Sequence, residues 1–407
     1  MEIASGCDGD LVRSLVMSRP IILTFVHYYL PGYKSGGPVR TIANIVEALG
    51  DEFEFRIVTS DRDFLDVAPY YGITSDAWMC VRKAWVYYVS PERRRLFAWA
   101  RLIRETPHDV LYLNSLFDPV YTLLPLLARR LAGSQRKPVV VAPRGECSPG
   151  ALGGKKRWKK GAFLAVARRA GLYRNVLWHA STEGEAQLIR RQFGGGARML
   201  IARNLSPMSG QQRTSCEAID ASGPLRIVFL SRISPKKNLD YALRVLAKTR
   251  VRIHFDIWGV LEDPGYWKKC QDQIQALPEN VVARYRGVAD HSEVNKILAG
   301  YDLFFLPTRG ENYGHVIAEA FSAGTPVLLS DQTPWRNLRR EGVGWDLPLE
   351  NGEAAFLEAI EEASHKVGLE RVAWRQRVLD FATDRLNDPS LLEANRALFL
   401  QAVADKV

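Results

Sequence analysis

Cysteine is scarce in this chain. Five residues, at positions 7, 80, 147, 216 and 270, are spread over 407 positions with no CxxC spacing and no accompanying histidine cluster. A disulfide framework or a Cys/His zinc site is therefore excluded as an organising feature, and a reducing, cytosolic compartment fits the pattern. Long hydrophobic runs are also missing, and none reaches the length of a membrane-spanning helix. The first twenty residues have acids near their start and no long apolar core, so they do not read as a secretory signal. Residues 1–20 read as an N-terminal extension, with 1–16 either an unstructured tail or the product of a start codon placed ahead of Met17. Internal repeats and low-complexity segments are absent.

What is present is ordinary in bulk and uneven in charge. Hydrophobic content of 47% and charged content of 25% are those of a soluble globular protein, and the length allows two domains with separate cores. Residues 1–205 carry 30 Lys and Arg against 18 Asp and Glu, whereas the remainder is close to neutral. A basic half points to a polyanion or an acidic membrane surface as a neighbour. Nucleic acid is the weaker choice, because no recognition motif is present and aromatics do not interleave the basic clusters.

Short apolar runs alternate with longer amphipathic ones. Strands are predicted at 21–26, 53–59, 85–89, 110–113, 139–142, 176–178 and 199–202, and again at 225–230, 253–258, 281–285, 303–306 and 327–329. Helices fall between them, and everything from Phe356 onward reads as helical. The fold class is α/β, with two Rossmann-like, doubly wound parallel-sheet domains at 21–205 and 224–385. A polar linker at 206–223 joins them, and a C-terminal helix at 386–407 follows. Two such domains leave a cleft between them, and ligands bind at the carboxyl ends of the strands.

One stretch dominates the second half. The apolar run Leu303–Leu306 ends at Pro307, a glycine-bearing loop follows, and a helix reads from His315 until Gly324 and Pro326 stop it. Glu311 lies in the loop and Glu319 on the helix. Eight helical residues span about 12 Å, roughly the separation of the two sugars of a nucleotide sugar. The intervening helix N-terminus offers N–H groups to a diphosphate, and carboxylates accept paired hydrogen bonds from vicinal hydroxyls. An amphipathic helix with one exposed Glu would share the spacing. Upstream, Ser231-Arg232-Ile233-Ser234-Pro235-Lys236-Lys237-Asn238 follows a strand as a cationic loop suited to phosphate. Gly36 and Gly37, between the first strand and a helix, allow close backbone approach to phosphate or sugar.

The stretch Gly310-Glu311-Asn312-Tyr313-Gly314-His315 through Glu319, with its Ala323-Gly324-Thr325-Pro326-Val327 exit, resembles the Glu–seven residues–Glu signature of retaining glycosyltransferases of the GT-B fold. These form the group often called group 1 or family 4. The whole chain fits that arrangement, in which a final helix often crosses back to the first domain.

By this resemblance, Glu311 contacts the donor hexose and Glu319 the nucleotide ribose, while Arg232 and Lys237 bind the diphosphate and stabilise the departing nucleotide. It also implies donor contacts from Gly36, Gly37, Asn312, Tyr313 and Gly314, with the backbone at Val288 meeting the base. The catalytic set is then Glu311, Arg232 and Lys237. A histidine common in the family's first domain is missing here, which leaves Asn114, Arg144 and Glu146 as acceptor-side candidates; the lone His179 beside Trp178 reads as structural. Asp61-Arg62-Asp63 has the form of a metal-binding Asp-x-Asp, but Asp8-Gly9-Asp10 repeats that form, so no metal site and no cofactor are expected.

The implied substrates are a nucleotide-diphosphate sugar and a glycan or lipid-linked saccharide acceptor. Leu113 to Phe117, Pro143 to Glu146 and Ser330 to Trp335 resemble bacterial enzymes of surface-polysaccharide assembly. A sugar-nucleotide epimerase, a phosphorylase and a non-catalytic sugar-nucleotide-binding subunit are the alternatives. Lys155, Lys156, Arg157, Lys159 and Lys160 around Trp158 form a basic helix start suited to an anionic leaflet, which predicts peripheral attachment to the inner face of the plasma membrane.

Overall fold

The computed structural model describes residues 19–134, 136–148, 157–206 and 223–405. In the first domain the strands are β1 (Ile21–Phe25), β2 (Glu54–Ser60), β3 (Trp78–Val81), β4 (Ala84–Val89), β5 (Val110–Leu113), β6 (Val139–Val141), β7 (Val176–Ala180) and β8 (Met199–Ile201). They form one sheet in the order β3-β4-β2-β1-β5-β6-β7-β8. The second domain holds β9 (Leu225–Leu230), β10 (Ile253–Trp258), β11 (Val281–Gly287), β12 (Leu303–Leu306), β13 (Val327–Ser330) and β14 (Gly344–Leu347), in the order β11-β10-β9-β12-β13-β14. Central strands such as β5, β6 and β12 are buried at every position, as a parallel sheet covered on both faces requires.

Two strands escape the periodicity reading. β3 is a half-exposed edge strand, antiparallel to β4 across a turn at Arg82 and Lys83, in a sheet whose other pairings are parallel. β14 opens on a glycine and contains an aspartate, so it lacks an apolar run.

In both sheets the strand order reverses beside one central strand. β1 lies between β2 and β5, and β9 lies between β10 and β12. Crevices open where neighbouring connections leave in opposite directions, so these are the two points where a doubly wound sheet receives ligands. The Gly36–Gly37 loop follows β1, and the Arg232–Lys237 loop follows β9. The last helix, Pro389–Ala404, returns to the first domain, where Leu398, Phe399 and Ala402 are buried in the core around β1 and β2. Its Phe399 ring packs 5.5 Å from Phe53 and 5.3 Å from Tyr112.

Candidate active site

The site is built from loops that follow β9 and β12. The Arg309 N–H donates to the Lys236 carbonyl at 2.8 Å, and the Asn238 amide donates to the Pro307 carbonyl at 2.9 Å. These bonds hold the basic loop against the carboxylate loop. Lys237 and Glu311 then form an ion pair in which both side chains are largely buried. Arg232 reaches Glu262 at 3.0 Å, and its guanidinium also lies 5.9 Å from the centre of the Phe64 ring of the first domain. Burial holds the Lys236 ammonium below the usual lysine range, although Glu311 opposes the shift.

Gly259, just after β10, brings the wall close. A side chain there would place its Cβ 1.8 Å from the Ser231 carbonyl oxygen, and φ is +146°. Only glycine lets the β10 end pass behind Arg232, and sequence reasoning did not single it out.

Two helix N-termini open on the cleft. Helix Gly37–Leu49 starts after Gly36, whose φ is 75°, and helix His315–Ser322 starts after Gly314; neither has a side-chain cap. Their first N–H groups are thus left for a ligand. Glu319 sits on the second of these helices, is buried, and pairs with Arg40 from the first. Its other carboxylate oxygen has no partner among the described residues. Burial pushes the Arg40 guanidinium down to about 10. Beside this pair, Thr41 Oγ1 and His315 Nε2 lie 2.8 Å apart. The Thr41 hydroxyl already donates to the Gly37 carbonyl at 3.0 Å, so His315 is the donor. Burial, reinforced by Arg40, Arg144 and His291, holds His315 down to about 3, so the ring is neutral.

The cleft has a volume of about 280 Å³. Gly36, Gly37, Arg232, Lys237, Val288, Glu311, Asn312, Tyr313, Gly314 and Glu319 all line it. Tyr313 is anchored by its hydroxyl to Ser206 at 2.9 Å and by its carbonyl to Trp335 Nε1 at 2.7 Å. Asn312 crosses to Ser181 Oγ at 3.0 Å.

The acceptor-side candidates separate. Arg144 lines the cleft, while its guanidinium donates to Asn204 at 2.8 Å, to Asn114 at 3.0 Å and to the Tyr112 hydroxyl. Asn114 stands behind it. Glu146 accepts from the Ser115 hydroxyl and the Leu116 and Phe117 N–H groups, with burial pushing its carboxyl up. Neither Asn114 nor Glu146 reaches the cleft lining. His179 is buried between the Tyr112 hydroxyl and the Ala202 carbonyl, each at 2.8 Å.

The two aspartates of Asp61-Arg62-Asp63 are already occupied. Asp61 accepts from Arg62, Ser75 and Arg94, and Asp63 accepts from the N–H groups of Tyr33, Lys34 and Phe64. No cluster of three or more His, Cys, Asp or Glu residues able to hold a metal ion occurs among the described residues. Of the basic helix start, Lys155 and Lys156 lie outside the described residues; Trp158 is exposed, and Lys160 stands 5.1 Å from the Phe117 ring. Among the described residues, no helix is long and apolar enough to cross a membrane.

Comparison with known proteins adds the following. The family model described as Glycosyl transferase 4-like domain matches residues 36–204, and that described as Glycosyl transferases group 1 matches residues 217–376. A phosphatidyl-myo-inositol mannosyltransferase of Mycobacterium leprae is 27% identical over 136 residues, covering 33% of this chain and 36% of that protein. An uncharacterized 41.2 kDa protein from the cps region of Klebsiella pneumoniae is 23% identical over 243 residues, covering 57% of this chain and 62% of that one. The chain thus spans less than two thirds of the length of either relative. Among solved structures, Anabaena HepE with UDP and glucose superimposes with a TM-score of 0.64 at 16% identity, covering 95% of this chain and 100% of that one. WaaG, a glycosyltransferase involved in lipopolysaccharide biosynthesis, gives 0.65 at 16% identity, covering 93% and 99%. Both likenesses are of fold.

Proposed function

Because the chain belongs to the group 1, or family 4, glycosyltransferases, whose two family models lie side by side along it, we propose that it is a retaining hexosyltransferase. It moves a sugar from a nucleotide-diphosphate donor to a glycan or lipid-linked saccharide in cell-surface polysaccharide assembly. The observation that carries this reading is the Lys237–Glu311 pair, with Arg232, in the crevice at the reversal of the second sheet. A cation beside a hexose-sized space places positive charge where negative charge develops as the diphosphate departs. In this reading Glu311 orients the hexose, while the unpartnered oxygen of Glu319 accepts from a ribose hydroxyl.

The C1–phosphate oxygen bond breaks, and a C1–oxygen bond to the acceptor forms on the same face. The acceptor proton passes to a phosphate oxygen of the leaving nucleotide. No metal ion is required, since Arg232, Lys237 and the open helix N-termini face the same anion. Support for the substrate class comes from the names of the mannosyltransferase relative and of the structure with UDP and glucose. The basic first half supports a peripheral site on the inner face of the plasma membrane.

The test is a panel of nucleotide sugars. One donor should be hydrolysed slowly and should raise Tm, and transfer should keep the donor's anomeric configuration. Inversion would remove the retaining mechanism. Binding without hydrolysis or transfer would make the chain a sugar-nucleotide-binding subunit.

A further inference from the structure

The first domain carries a polar pair that the donor site does not use. His27 follows β1, at the point where the first sheet reverses, and its Nδ1 lies 2.8 Å from Asp118 Oδ2. The other oxygen of Asp118 accepts from the N–H groups of Val120 and Tyr121 at 2.9 and 2.8 Å, capping a turn. Ser115 and Glu146 brace that turn from behind, through the Asp118 N–H to Ser115 Oγ bond at 2.9 Å and the Ser115 Oγ to Glu146 bond at 2.9 Å. Asp118 is therefore rigid. Burial works against its charge, but His27 and the two N–H groups together hold its carboxyl below the usual range. An ionised carboxylate only accepts, so Nδ1 of His27 carries the hydrogen of this bond, and Nε2 is left for another partner. His27 keeps 38% of its side chain exposed.

A row of half-exposed rings leads from this histidine to the donor site. His27 stacks on Tyr28 at 4.2 Å with an interplanar angle of 10°. Tyr28 meets Phe64 edge-on at 6.0 Å, and Phe64 lies under Arg232. Asp63 fixes this row by accepting from the N–H of Phe64 and from those of Tyr33 and Lys34, which precede the Gly36–Gly37 loop. Rings that are half exposed beside a charged cleft present flat apolar area with a hydrogen-bonding imidazole at one end. A pyranose has the matching shape, with an apolar C–H face and hydroxyls at its rim.

We propose that His27, Tyr28 and Phe64 form the subsite for the acceptor's sugar ring. His27 Nε2 hydrogen-bonds one of its hydroxyls, and Asp118 acts as the positioning residue behind it. This rests on the transferase reading above. It adds these rings to the acceptor-side candidates: Glu146 spends its carboxylate on framework donors, whereas Asn114 gives only its side-chain oxygen to Arg144 and its buried amide nitrogen has no partner among the described residues.

The experiment uses the full chain, the donor found by the nucleotide-sugar panel, and octyl and 4-nitrophenyl hexopyranosides as acceptors. His27→Ala should raise the acceptor KM by about tenfold or more, the size of one lost hydrogen bond, with donor KM and donor hydrolysis held within about twofold. Asp118→Asn should act in the same direction, since it frees the ring to flip tautomer, while Tm confirms folding. His27→Gln, which keeps a hydrogen-bonding atom near the Nε2 position, should recover part of the loss. An unchanged acceptor KM in folded His27→Ala overturns the proposal. A donor KM that rises in step overturns it too, by moving His27 to the donor site. Donor hydrolysis by the natural chain with transfer to no hexopyranoside overturns the sugar class. If no nucleotide sugar is bound or hydrolysed at all, the transferase reading itself fails and the subsite falls with it.

Discussion

The second domain's side of the cleft draws its polar groups largely from short loops after strands, and three of these groups find partners inside the same domain. Lys237 pairs with Glu311, Arg232 with Glu262, and Asn238 ties one loop to the other. The first domain's groups also reach across the cleft. His27 meets Asp118 within its own domain, but Arg40 meets Glu319 and Ser181 meets Asn312 only because the two domains face each other. The difference implies a division of labour. One wall is assembled before any ligand arrives and can be charged and rigid. The other contributes through closure, so its residues govern access, fit and the second substrate more than the charge on the leaving group.

The sharpest way to break that division is to compare two cations. Lys237→Ala should lower turnover by about 10²–10³-fold, the usual loss when one preorganised partner of a developing anion is removed. Arg40→Ala should act mainly on donor KM, because in the proposed reading its partner Glu319 holds the ribose, a part of the donor that does not change during reaction. Donor hydrolysis kinetics on both variants decide the matter. An equal fall in kcat for the two would erase the distinction between the walls.

Acid should lower the stability of both walls alike. His108 and His179, both buried in the first domain, are held down to about 4 and about 3, each chiefly by burial. Above about pH 6.5 the ring is neutral whether the chain is folded or not, so these histidines then contribute nothing to pH dependence. As pH falls below that value the unfolded chain takes up protons that the folded one refuses, and stability declines towards about pH 4. At pH 5 the loss is about 2 kcal/mol per histidine. His291 and His315, on the second domain, are held down to about 4 and about 3 and add to the same trend. Calorimetry should therefore show the transitions of both domains falling between pH 7 and pH 5. No fall in either would mean that these depressed rings do not set acid stability.

A smaller effect tests the carboxylates within the second wall. Glu311→Ala should cost at least about tenfold in turnover, near 1.4 kcal/mol of transition-state stabilisation, whereas Glu319→Ala should mainly raise donor KM. Full activity in Glu311→Ala would remove the loop after β12 from the chemistry, leaving its ion pair with Lys237 as a structural feature.

The same contrast explains what could be read in advance. Parallel strands buried on both faces announce themselves as apolar runs, so β5, β9, β10 and β12 were legible, and residues just beyond their ends were legible with them. Arg232, Lys237 and Glu311 lie on loops after such strands, but their roles and that of Glu319, on the helix beyond, were implied by the family resemblance; all four line the cleft. β3 and β14 were not, since an edge strand and a strand opening on glycine carry no such run. Arg40 and His27 were silent for another reason: one polar residue on a helix or after a strand has no periodic partner, and its meaning lies in a contact far along the chain. Gly259 could have been noticed as a glycine directly after a strand, but only the distance to Ser231 says why it is needed. Glu146 shows the converse. It stood in a suggestive place after β6, yet three donors within the first domain consume it.

The smallest expected effect is none, on removing divalent metal. Asp61 and Asp63 have the spacing of a metal-binding pair, but they lie on the first domain, where their oxygens are taken by Arg62, Arg94 and Ser75 and by three backbone N–H groups. To hold a cation they would have to release the loop that carries Tyr33, Lys34 and Phe64, and with it the contact between Phe64 and Arg232. In the proposed reading the anion they would serve is met by Arg232 and Lys237 from the second domain. A cation bound there would add charge to a site whose own cations are fixed. Treatment with a chelator should therefore leave donor hydrolysis and transfer within about twofold of the untreated rate. Loss of activity on chelation, restored by manganese or magnesium, would bring Asp61 and Asp63 into the chemistry. It would also end the view that the charged work belongs to one wall.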